Sequence, residues 1–93
     1  MTEMEKLVAL LNTYHIPYDI LPDCMDGNPQ IWYPCRGNET CDVICNKYSY
    51  GGTKGYLEIM GLVDEKEVGD TVEGWLTAEE VFGRIHADYY GTV

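Results

Sequence analysis

Apolar residues recur at helical spacing at both ends of this chain and alternate in its middle. Near the start, Met4, Leu7, Val8 and Leu11 fall at i, i+3, i+4 and i+7, which places them on one face and leaves Glu3 and Lys6 outside. Thr2 stands three residues before Glu5, the spacing of a reciprocal N-terminal cap, so the helix is expected to begin near residue 3. Pro17 disfavours helical geometry in the residue before it and sets the end near Tyr14 or His15. Thr77 and Glu80 repeat the cap, and Val81, Phe82, Ile85 and Tyr89 follow at helical intervals, predicting a second helix over about 78–90 closed by Gly91.

Between the helices the period changes to two. Cys41, Val43 and Cys45 alternate on one side of a glycine-rich turn, and Leu57 and Ile59 on the other, the pattern of a β-hairpin. Ile31, Trp32 and Tyr33 read as a third strand ending at Pro34, joined to the hairpin through Arg36-Gly37-Asn38-Glu39. From Tyr18 to Gln30, Pro22, Asp23, Asp26, Gly27, Asn28 and Pro29 predict an extended segment followed by a surface loop, with room for a short edge strand at Tyr18, Ile20 and Leu21. The expected fold is α+β: helix, three-stranded antiparallel meander over 30–35, 41–47 and 56–61, then helix, with both helices packed on one face of the sheet.

Ninety-three residues suffice for one domain, 1–93, with one modest core. Sixteen acidic residues against six basic give a net charge of −10, which repels phosphate backbones and attracts a basic partner. No apolar run is long enough to cross a bilayer, and Met1-Thr2-Glu3-Met4-Glu5-Lys6 lacks the pattern of a secretory leader, so the expected setting is cytoplasmic, without membrane contact. In that reducing setting the four cysteines, 24, 35, 41 and 45, are expected as free thiols, mostly buried, with Cys24 the most exposed.

The chemistry-bearing residues do not assemble into a reactive motif. Cys35, Cys41 and Cys45 with His15, His86 or Cys24 offer zinc-type donors, but only Cys41 and Cys45 are close in sequence, and on a strand such a pair lies about 13 Å apart. A cysteine nucleophile needs a histidine in reach and an electropositive setting, whereas the chain is acidic almost throughout. His86 reads as a half-buried boundary residue of the second helix, and His15 as a helix-end residue. Gly51-Gly52-Thr53-Lys54-Gly55 lacks the order of a phosphate-binding loop. The expectation is a protein that is not an enzyme, with no catalytic residue, metal or cofactor.

Two features remain. From Asp64 to Glu80 there are seven carboxylates and one basic residue, Lys66, a local charge of −6 that can pair with the lysines and arginines of a nucleic-acid groove. Its bland reading is a solvated face, as the spacing does not suit a calcium loop. Eight tyrosines, two tryptophans and one phenylalanine exceed what so small a core needs, and Tyr48, Tyr50 and Tyr56 gather around the hairpin turn. With Val43 facing the helices, Ile44, Tyr48, Tyr50, Tyr56, Glu58 and Met60 fall on the opposite face, an aromatic surface suited to a partner or partly covered by the 18–30 segment.

Four stretches carry a resemblance: Cys-Asp-Val-Ile-Cys (41–45), Tyr-Ser-Tyr-Gly-Gly (48–52), Leu-Glu-Ile-Met-Gly-Leu (57–62) and Gly-Trp-Leu-Thr-Ala-Glu-Glu-Val-Phe (74–82). They are similar to short uncharacterised proteins of phages and prophages of gut Firmicutes, which implies a mobile-element origin and supplies no activity to carry over. In size and charge the chain also resembles anti-CRISPR proteins that block a nuclease's DNA site. The resulting expectation is non-catalytic binding, with no direct nucleic-acid contact. An inhibitor of a basic nucleic-acid-handling host protein would be steered by Asp64, Glu65, Glu67, Asp70 and Glu73 and anchored by Tyr48, Tyr50, Tyr56 and Trp75. A self-associating or structural phage protein, a homodimer for instance, is the alternative, with a small metal-binding protein or enzyme ranked third.

Overall fold

Both helix starts are built as their spacing predicts. In the computed structural model, which describes residues 1–63 and 71–91, Thr2 opens α1 (Glu3–Thr13) and Thr77 opens α2 (Ala78–Tyr90). Each threonine hydroxyl accepts from the backbone of the glutamate three residues on, and that glutamate's carboxylate accepts from the threonine's own N–H. Two of the donors that each helix start leaves unpaired are thereby satisfied. The first helix ends where His15 takes a left-handed φ of 56° and Ile16 N–H returns to the Leu11 carbonyl, one residue before the chain reaches Pro17.

The sheet is larger than a three-stranded meander. Five antiparallel strands lie in chain order: β1 (Asp19–Met25), β2 (Asn28–Tyr33), β3 (Cys41–Ile44), β4 (Leu57–Met60) and β5 (Val72–Leu76). The pairings expected among 30–35, 41–47 and 56–61 are present as β2, β3 and β4, and each outer edge gains a strand. β1 forms because Asp26-Gly27, at φ 51° and 76°, makes a two-residue turn that sets Met25 opposite Asn28, the left-handed turn whose twist suits a hairpin. Pro22 is tolerated because the strand lies at the edge and leaves its partner's register between Leu21 and Met25. β5 forms beside β4 in a stretch that charge alone had marked.

One face of this sheet carries the core. Ile31, Tyr33, Cys41, Val43, Leu57, Ile59 and Leu76 join Met4, Leu7 and Leu11 of α1 and Ala78, Val81 and Ile85 of α2 in a single buried cluster, so both helices share one sheet face as expected. Each such aliphatic side chain stabilises by about 1.5–3 kcal/mol when fully buried. The helices run in the same direction. The Glu3 carboxylate accepts from the Ala78 N–H at 2.9 Å where both begin, and the Tyr90 hydroxyl donates to the Tyr14 carbonyl where both end.

The other face is set by the same register. One row across it runs Asp19, Trp32, Asp42, Met60, Val72, and the next runs Leu21, Gln30, Ile44, Glu58.

Truncating a cap removes a helix-start acceptor without touching the core. Thr77→Ala is expected to lower stability by about 1 kcal/mol, read from the denaturant midpoint at unchanged slope.

Candidate functional site

β5 contains one residue more than the strand segment it faces. Leu57 pairs with Leu76 and Ile59 with Glu73, so Gly74 and Trp75 together oppose Glu58 in a β-bulge. Trp75 takes φ 60°, a conformation that bulky residues rarely adopt, and the residue is 59% exposed. A bulge bends its strand locally and re-aims a side chain, and here the side chain it turns outward is an indole.

The β3–β4 connection closes over this bulge. Tyr50 is held on both sides of its backbone: its N–H donates to Glu58 Oε1 at 3.0 Å, and its carbonyl accepts from the Trp75 N–H at 3.1 Å. Upstream, the buried Ser49 hydroxyl donates to the Asn46 carbonyl and accepts from the Asn46 N–H, both at 2.9 Å, while the Asn46 side chain accepts from Tyr48 N–H. Downstream, a turn of 3-10 helix (Gly52–Lys54) brings the Tyr56 N–H back to the Gly51 carbonyl at 3.0 Å. The glycine-rich stretch of the expected hairpin is thus a hydrogen-bonded turn. Two glycines admit the close approach. A Cβ on Gly74 would overlap the Cβ of Tyr50, and one on Gly51, at φ 85°, would stand 3.0 Å from the Trp75 backbone.

Four aromatic rings result at one end of the sheet. Tyr48, Tyr50, Trp75 and Tyr56 are 73%, 63%, 59% and 38% exposed, and the Tyr56 and Trp75 rings meet at 5.9 Å between centroids in a tilted contact. Lys47 lies over the Tyr48 ring at 5.2 Å and pairs with Asp26 at 3.2 Å. All four expected anchors therefore belong to one loop-and-bulge assembly. Residue type had singled them out, but the bulge that exposes Trp75 had no signal except the glycine before it.

The expected steering carboxylates fare differently. Asp64, Glu65, Glu67 and Asp70 lie outside the described residues. Glu73 is placed, and both its oxygens accept from Arg84 of α2 at 2.8 Å, with Arg84 also donating to the Leu62 carbonyl. Sequence reasoning passed over Asp42, which register sets between Trp32 and Met60. Burial, and then the charges of Glu39 and Glu58, push its carboxyl above the usual range, against which a hydrogen bond from Gln30 works in the other direction.

Two of the cysteine thiols are shifted by their surroundings. Burial first, then Asp42 and Asp88, raise the Cys41 thiol to about 12, so it stays protonated at neutral pH. Burial likewise raises Cys45. Tyr33 is pushed up by burial and by donating its hydroxyl to Asp88 at 2.6 Å. His86, half-buried as expected, lies among the rings of Tyr14, Phe82 and Tyr90 at 4.9–5.6 Å, a packing contact of α2 with the end of α1. Among the described residues no group of three or more histidine, cysteine, aspartate or glutamate side chains is placed to hold a metal ion. No described helix is long and apolar enough to cross a membrane.

No protein-family model matches this chain, and no curated protein or solved structure matches it.

Two substitutions probe the site without a partner. Gly74→Ala forces Tyr50 away from the bulge and is expected to cost about 1–3 kcal/mol, with the larger part of the change in proteolytic susceptibility falling within 46–56. Asp42→Asn keeps an acceptor for Gln30 and removes an ionisation that folding disfavours. Because the folded-state carboxyl has the higher pKa, its ionisation costs stability as pH rises past the unfolded value of about 4. The variant should therefore melt above the parent protein at pH 7, with the gap closing as pH falls towards 4.

Proposed function

We propose that this protein works by non-catalytic binding: a small acidic mobile-element product that docks on a basic, nucleic-acid-handling protein of its bacterial host, in the cytoplasm, and inhibits or modulates it. The observation that carries the reading is the exposed Tyr56–Trp75 pair, presented by a bulge and a loop already hydrogen-bonded in the free chain. Tyrosine and tryptophan dominate the binding energy of protein interfaces, and rings held in place before binding lose less entropy on contact. A left-handed tryptophan costs on the order of 1 kcal/mol, an expense without benefit to a core that this ring does not enter.

Charge supplies the partner's sign. At −10 overall the chain repels nucleic acid and draws a basic surface, and Asp64, Glu65, Glu67 and Asp70 are assigned the steering role because their density is the highest in the sequence. Glu73 has a structural task in its pairing with Arg84 and is a weaker candidate for steering. The resemblance to short phage and prophage proteins favours a stoichiometric mode of action. The second reading, self-association through the same rings, is favoured by their exposure alone.

The test is a pull-down from nuclease-treated host lysate eluted in salt steps, followed by affinity measurement on the recovered protein. A single basic protein released as salt rises is expected, with Trp75→Ala weakening it by about 30-fold, as for an interface hot spot. A salt-insensitive complex contradicts the steering role. Recovery of the bait alone, with concentration-dependent sedimentation, supports self-association instead.

A further inference from the structure

The aromatic cluster stands at the border of a larger surface. Glu58, whose carboxylate holds the Tyr50 N–H, is also the last member of a row across the sheet face that points away from α1 and α2. Both helices pack on the other face, yet this one is apolar in large part: Ile44 is half-buried, Met60 is exposed, and Trp32 is only 7% exposed. The guanidinium of Arg36 lies 4.8 Å over the Trp32 ring. The face thus already holds one arginine of its own chain against an aromatic ring.

We propose that this sheet face completes the docking surface and receives an arginine-bearing, otherwise apolar segment of the basic partner, with Asp42 and Glu58 as the carboxylates that meet the guanidinium. The inference rests on the binding function proposed above. Charge complementarity selects the occupant. Asp42 is set among apolar neighbours, Trp32 in β2 and Met60 in β4, with the like charges of Glu39 and Glu58 close enough to disfavour its ionisation. Several of the chain's cations are engaged elsewhere: Lys6 with Glu3, Lys47 with Asp26, Arg84 with Glu73. Among the described residues no ion pair joins a cation to Asp42 or Glu58. An incoming cation relieves that repulsion, whereas a second copy of the chain brings its own Asp42 and Glu58 and adds to it. Arginine suits the face better than lysine because its planar, weakly hydrated group can stack on exposed side chains while pairing with a carboxylate.

The test uses the full chain, labelled with ¹⁵N, titrated with a short peptide alternating arginine and leucine, and separately with its lysine-for-arginine counterpart. The arginine peptide is expected to shift the amides of Trp32, Asp42, Ile44 and Met60 and to bind about tenfold more tightly than the lysine peptide. Asp42→Asn with Glu58→Gln keeps acceptors for Gln30 and Tyr50 and is expected to weaken the arginine peptide about tenfold at an unchanged melting temperature or a higher one. Equal binding of the two peptides, or shifts confined to other surfaces, overturns the inference, as does a concentration-dependent dimer that Met60→Asp dissociates. The pull-down separates the two levels. Loss of the host protein with Trp75→Ala but not with the double variant leaves the aromatic docking reading standing and removes the arginine contact. Loss with neither variant removes both.

Discussion

The surplus residue in β5 is the constraint on which the candidate surface depends. Because Gly74 and Trp75 together oppose Glu58, the ladder between β4 and β5 is interrupted there, and the Trp75 N–H is left to find an acceptor outside it. It finds the Tyr50 carbonyl, while the Glu58 carboxylate takes the Tyr50 N–H. A buried or half-buried backbone group without a partner costs more than a typical hydrogen bond contributes, so this exchange fixes the loop on the bulge rather than merely permitting the contact. Tyr48, Tyr50 and Trp75 are exposed around the backbone that this exchange ties together.

The remainder of the fold packs against the opposite face of the sheet. The apolar half of the sheet is covered by two helices that run in the same direction and are tied at both ends, by Glu3 to the start of α2 and by Tyr90 to the end of α1. Two helices and one sheet face account for the buried cluster, and the second face is left for other uses. On that face the register interleaves Asp42 and Glu58 with Trp32, Ile44 and Met60, a mixture of carboxylates and apolar groups that suits neither a dry core nor a simple solvated surface.

The sequence was most legible where local signals agree with the tertiary structure. The two Thr-x-x-Glu caps and the apolar stripes behind them locate α1 and α2 within a residue or two, because a cap and a 3.6-residue period are local properties. Strand number was harder. Pro22 and Asp23 argue against a strand unless that strand lies at an edge, and edge position depends on partners that the local residues do not reveal. The Asp26-Gly27 pair was the available sign of that hairpin. In β5 the bulge breaks the period-two alternation of Val72 to Leu76, so the very feature that exposes Trp75 hid the strand that carries it. Charge was legible as composition but not as allocation: Glu73 and Asp42 look alike in sequence, and only the fold gives one to Arg84 and leaves the other beside Trp32.

The central claim is that the aromatic surface is built into the free chain. Native-state hydrogen exchange at the Tyr50 and Trp75 amides tests it most directly, because each donates one of the two bonds that hold the loop to the bulge. The account predicts that both amides are protected, and that they open together with one free energy and in one response to denaturant. Exchange of either amide at the rate of an exposed, unstructured loop would contradict it, and the rings would then be ordered only by whatever they bind.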